Sequence, residues 1–237
     1  MAAFWFFVFR GRLMLKNSVL ACILLVAGCF AFACCQWLVY VYAPLEATMG
    51  IVQKIFYIHL PLAWWALVSS FVVFLGSICY LLKRSPGFDR LCAAAAELGV
   101  LLSGLALVTG ALWARKSWGI WWTWDPRLTT TLIMWFVYSG YLVLHGLEMP
   151  RQRKTVVCAV LGVVAFLDVP LVFISARIWR SVHPAVFAAG GGGLEPEMKL
   201  TVIACVFAFG VFWAGLLLLR MAQLELCARV QALRQGE

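Results

Sequence analysis

The chain has 237 residues, of which 65% are hydrophobic and 12% charged, and its mean hydropathy is +0.96. Water-soluble domains carry roughly twice that share of charge, so a soluble globular enzyme is excluded. The formal charge of +9 comes from 19 Lys and Arg against 10 Asp and Glu, spread between apolar blocks instead of gathered on one face, which argues against nucleic-acid binding.

Crossing roughly 30 Å of hydrocarbon takes about 20 helical residues. Runs of that length are predicted at 17–42, 60–82, 91–113, 128–148, 156–178 and 199–220. The first is too long for the core of a signal peptide and has no convincing small-residue cleavage site, so it reads as a retained span. Lys83, Arg84, Pro86 and Gly87 break the chain after the second run, residues 150–154 after the fourth, and the glycines at 190–193 after the fifth. The expected fold is an all-α integral membrane protein: a six-transmembrane-helix bundle forming a single domain over 1–237.

Orientation follows from Lys and Arg in alternate connections, twelve on one side and seven on the other. Both termini are thus expected in the cytoplasm, with 43–59, 114–127 and 179–198 outside. The nine cysteines include no CxxC or CxxCH, and none lies in an outer connection. They read as small apolar residues within the membrane, which excludes a disulfide scaffold and covalent c-type haem attachment.

The outer side carries the unusual chemistry. Ten of the twelve Trp, Trp65 and Trp135 included, fall in outer connections or the outer parts of spans; only Trp5 and Trp213 lie elsewhere. The densest stretch runs from Trp118 through Trp121 and Trp122 to Trp124, followed by Asp125, Pro126 and Arg127. Indole faces give large contact area at low entropy cost, which suits a flat apolar ligand; an interfacial loop whose indoles sit at headgroup level is the alternative. Asp125 before Pro126 is also a good N-cap and first residue for the fourth span.

Two of the three histidines share that side. His59 follows a short segment, 50–58, in which Val52, Ile55 and Phe56 lie on one helical face, as expected of an interfacial helix leading into the second span, with Pro61 near that span's first turn. His183 precedes Pro184 in the connection after the fifth span. One His from each of two outer connections, flanking a Trp-rich loop, is what a bis-imidazole haem site at the outer face requires; a hydrogen-bonded surface role is the ordinary alternative. Arg127, Arg177 and Arg180, with Arg115 and Lys116, are cations that the positive-inside rule disfavours there, suited to haem propionates or to phospholipid headgroups. His145, near the other end of the fourth span, reads as structural, and so do the intramembrane acids Glu97 and Asp168. No catalytic acid–base pair, nucleophile or nucleotide-binding motif is present.

Trp118-Gly119-x-x-Trp122-x-Trp124-Asp125 is the WGxxWxWD signature, and over about 19–221 the six-span chain with a His in the first and third outer connections resembles the CcmC family of haem-handling (WWD-motif) membrane proteins of cytochrome c maturation. The resemblance implies a non-enzymatic haem-transfer protein of a bacterial or mitochondrial inner membrane. It implies His59 and His183 as axial ligands of a transiently bound haem b (iron protoporphyrin IX) at the periplasmic face, with Trp118, Trp121, Trp122, Trp124 and Asp125 in the contacting loop. The cations Arg127, Arg177 and Arg180 would then serve its propionates. Implied partners are the haem chaperone CcmE, the ABC components CcmA and CcmB, the small protein CcmD, and membrane lipid. A b-type electron-transfer cytochrome and a permease for another flat amphipathic solute are the rival readings, set apart respectively by quinol reduction of bound haem and by absence of Soret absorbance.

Overall fold

In a computed structural model, residues 2–178 and 194–235 are described, apart from the side chains of 1–17, 176, 177 and 235. Seven α-helices follow in order: α1 (Ala2–Trp37), α2 (Phe56–Lys83), α3 (Pro86–Trp118), α4 (Pro126–Gly146), α5 (Arg151–Ala165), α6 (Asp168–Ile178) and α7 (Pro196–Gln235). A π-helical turn, Leu38–Tyr42, ends α1, and a 3-10 turn, Ile51–Ile55, leads into α2. Six segments are long and apolar enough to cross a membrane, α5 and most of α6 together making one of them, and they agree with the six expected spans. The chain is an all-helical integral membrane protein.

The fifth span is split by Pro170. Proline has no N–H to offer the carbonyl four residues earlier. That carbonyl, on Phe166, accepts from Val169 N instead at 3.0 Å, and a turn at 166–167 separates α5 from α6.

α2 against α3 is the most extensive helix pair, followed by α1 against α7. The run Ala93–Ala96 is almost wholly buried, which lets α3 sit centrally against α2, α4 and α7. In α1 and α7 the backbones meet at glycines: a Cβ on Gly28 would stand 2.7 Å from the Phe212 backbone, and one on Gly215 2.9 Å from Leu25 N. Without a hydrophobic driving force between helices in lipid, such close approach is the main source of cohesion.

Glu97 and His145 meet partners on neighbouring helices, and Asp168 does not. Glu97 of α3 accepts from Arg220 of α7 through both oxygens, at 2.5 and 2.8 Å. His145, in the last turn of α4, lies 3.4 Å from Asp89 and stacks on Tyr141. Asp168 opens α6 beside the break, and its Oδ2 has no hydrogen-bond partner among the described residues.

Candidate functional site

The end of the bundle that carries 119–125 is built by the C-terminus of α3 and the N-termini of α2 and α4. α3 continues to Trp118, so the connection is shorter than the 114–127 read from the sequence. It stops at Gly119, whose φ of +78° is in the left-handed region and whose N–H bonds back to Arg115 O at 3.2 Å. α4 then starts as expected: Asp125 accepts from Arg127 N at 2.9 Å and Pro126 takes the first helical position. Of the side chains between, Trp121 and Trp124 are exposed and Trp122 half-buried.

The short helix expected before α2 is the Ile51–Ile55 turn, which leads into α2 as expected, but its apolar face packs within the bundle. Phe56, with Val52 and Ile55, packs into a cluster that holds Cys35 and Val39 of the first span and Met198, Val202 and Cys205 of α7, so this apolar face turns inward. Lys54 is a further cation of the first outer connection. It is buried, and its ammonium donates to Val39 O at 2.5 Å and Ala43 O at 2.7 Å, closing the C-terminal end of the first span. Glu46, in the preceding connection, accepts from Met49 N at 2.5 Å and from Thr48; these hydrogen bonds, that of Met49 first, hold its carboxyl below the usual glutamate value.

His59 is thus in the first turn of α2, not at the end of a separate helix, and its surroundings come from α3. Nδ1 is 3.0 Å from Thr109 Oγ1. The ring meets Trp113 edge-on, with centroids 6.0 Å apart and planes at 67°. Gly110 allows this approach, since a Cβ there would stand 3.1 Å from His59 Cε1. On Gly110 the imidazole adjoins a recess lined by Met49, Gly110, Trp113, Ala114, Ser117, Trp118 and Leu128. Trp113 is buried, and its indole N–H has no acceptor among the described residues. Apolar walls with a few aimed polar groups are the usual make-up of a ligand site.

Of the expected indoles, only Trp118 lines the recess. Arg115 lies over the Trp121 ring at 5.8 Å and donates to Gly119 O, while Trp122 and Trp124 meet edge to face at 5.9 Å. Trp65 and Trp135, counted with the outer indoles, are packing residues: Trp65 donates to Val206 O at 2.8 Å and meets Trp213 at a tilt of 30° with centroids 4.9 Å apart, and Trp135 donates to Val100 O at 3.1 Å. Trp213 was assigned elsewhere from the sequence, yet it packs against Trp65. Arg127 is half-buried beside Asp125. His183, Trp179, Arg180 and the side chain of Arg177 lie outside the described residues. The sequence reading missed Met49, Thr109, Gly110, Ser117 and Leu128 and gave Trp113 no part in the site. The one signal available was that Thr109 and Trp113 stand four residues apart, on one helical face.

Six apolar spans define a polytopic membrane protein, with a recess beside a histidine and two indoles. The sequence profile of the CcmC family, heme exporter protein C, matches residues 4–235. Heme exporter protein C of Bradyrhizobium diazoefficiens is 34% identical over 194 residues, 81% of this chain and 74% of the relative. The protein of that name from Rhodobacter capsulatus is 30% identical over 207 residues, covering 83% of this chain and 82% of the relative. A ccmC-like mitochondrial cytochrome c biosynthesis protein of Arabidopsis thaliana is 28% identical over 193 residues, 81% of this chain and 73% of its own length. The chain belongs to the heme exporter protein C family, whose members handle haem in cytochrome c maturation.

Proposed function

We propose that this protein, acting as a single membrane domain, holds haem b transiently at the periplasmic face of a bacterial inner membrane, or the equivalent face of a mitochondrial one, and delivers it to the chaperone CcmE. CcmA, CcmB and CcmD are its partners in the membrane, with ATP hydrolysis supplied by CcmA. The observation that carries the reading is that His59 and the indole-walled recess share Gly110, so a metal ligand and a flat apolar surface meet at one place.

The residues present fit this cargo. An imidazole whose Nδ1 is held by Thr109 can present Nε2 to iron. Trp113, Trp118 and Leu128 offer apolar surface to a macrocycle, and the half-buried guanidinium of Arg127 suits a propionate. His183 supplies the second imidazole, Arg177 and Arg180 further cations, and Trp121, Trp122 and Trp124 cover the exposed part of the ring. The excess of Lys and Arg in the alternate connections puts both termini in the cytoplasm.

The protein works by holding and releasing and catalyses no bond change of its own. His59 and His183 fix the cargo, the indoles keep water from it, and the cations set its in-plane orientation. Release follows when the acceptor binds a state in which one imidazole has let go, because only a difference in affinity between two states shifts their populations. In the test, full-length protein purified from haem-replete membranes shows a Soret band that moves to a haem-free CcmE on mixing. Absence of Soret absorbance, or retention of the band in the presence of CcmE, contradicts the proposal.

A further inference from the structure

We propose that Thr109 is a positioning residue for haem: its hydroxyl fixes the tautomer and orientation of His59, so that Nε2 is the nitrogen offered to iron. The proposal rests on the reading of His59 as an iron ligand and adds the residue that prepares it.

The Thr109 hydroxyl has one hydrogen and sits 2.8 Å from Leu105 O and 3.1 Å from Ala106 O, the carbonyls four and three residues earlier in α3. Carbonyl oxygens only accept, so that hydrogen is engaged within the helix. With that hydrogen directed at the helix carbonyls, the hydroxyl meets His59 Nδ1, 3.0 Å away, as an acceptor, which puts the imidazole proton on Nδ1. A neutral imidazole has a single N–H, so the lone pair belongs to Nε2.

Orientation follows from the same helix. Thr109, Gly110 and Trp113 hold the ring by a hydrogen bond, by a missing Cβ and by an indole contact in turn. A threonine inside a helix needs no partner beyond its own carbonyls. Here its remaining lone pairs are aimed at His59, which adjoins the recess. An acceptor on Nδ1–H makes Nε2 a stronger donor and favours ferric over ferrous iron, as second-shell acceptors do at metal-bound histidines.

The test uses full-length protein in nanodiscs, titrated with haem, with affinity and the reduction potential of the bound haem as readouts. Thr109→Val and Thr109→Ala both remove the hydroxyl, so a packing fault in one leaves the other informative; Thr109→Ser keeps it. The two removals should weaken haem binding by about 10–100-fold and raise the potential, while Thr109→Ser stays close to wild type in both. Wild-type affinity and potential in the removals, or a Ser variant as impaired as Val, overturns the assignment. His59→Ala in the same series separates the two levels. If it keeps the wild-type spectrum, the ligand reading itself fails; if it loses that spectrum while Thr109→Val is unaltered, only the role of Thr109 falls.

Discussion

Asp125 allows the capping and the electrostatic contributions at the indole loop to be separated. Its carboxylate accepts from Arg127 N at 2.9 Å, closing the first turn of α4, and is itself buried beside the half-buried Arg127 side chain. Asp125→Ala removes an N-cap, which costs about 1 kcal/mol. At about 1.4 kcal/mol per tenfold, the first turn of α4 opens roughly fivefold more often. Asn caps as well as Asp, so Asp125→Asn should leave the turn closed and lose only the charge next to Arg127. Hydrogen exchange at fixed pH, read on peptides covering 126–131, should therefore accelerate about fivefold in the Ala variant and stay near wild type in the Asn variant. Unchanged exchange in Asp125→Ala refutes the capping argument. Equal acceleration in both variants shows instead that the ion partner, not the cap, holds the turn.

Gly110→Ala places a methyl 3.1 Å from His59 Cε1, inside the usual 3.5–4.0 Å carbon contact, so the ring must move by about 0.5 Å. Insertion and thermal stability should survive while the haem titration weakens; unaltered haem affinity counts against Gly110 as the seat of the imidazole. Lys54→Met strands the buried carbonyls of Val39 and Ala43 and should cost about 1–3 kcal/mol in thermal unfolding, whereas a neutral result means other groups cap that helix end. Glu97 and Arg220 are each about a third exposed, at 36%, so their coupling is modest, about 1 kcal/mol. In a double-mutant cycle with Glu97→Gln and Arg220→Gln, the double variant should be less destabilised than the sum of the singles; strict additivity would show that the pair contributes nothing.

The spans were legible because hydropathy over 20 residues measures the same property that the bilayer selects. Asp125–Pro126 was legible because capping is local chemistry, and Glu97 because an acid at membrane depth demands a partner, found in Arg220. Hydropathy says nothing of helix beyond the lipid. α7 continues to Gln235, fifteen residues past the end of the predicted span, and there Glu225 and Arg229 pair one turn apart at 3.0 Å. Nor did composition show that Trp65 faces Trp213, since the two are brought together only by packing of α2 on α7. Thr109 and Gly110 were hidden for the same reason. Inside an apolar run they look like ordinary small residues, and only the α2–α3 pairing sets them against His59. The inward turn of Val52, Ile55 and Phe56 was misread because an apolar stripe can face lipid headgroups or a neighbouring helix with the same periodicity.

The most direct test of the account is electron paramagnetic resonance of the ferric haem-loaded protein, wild type beside His59→Gly and His183→Gly. Two axial imidazoles predict a low-spin signal in the wild type, loss of that signal in each variant, and its return when free imidazole fills the space left by the missing side chain. A low-spin wild-type signal that persists unchanged in either variant would contradict the account.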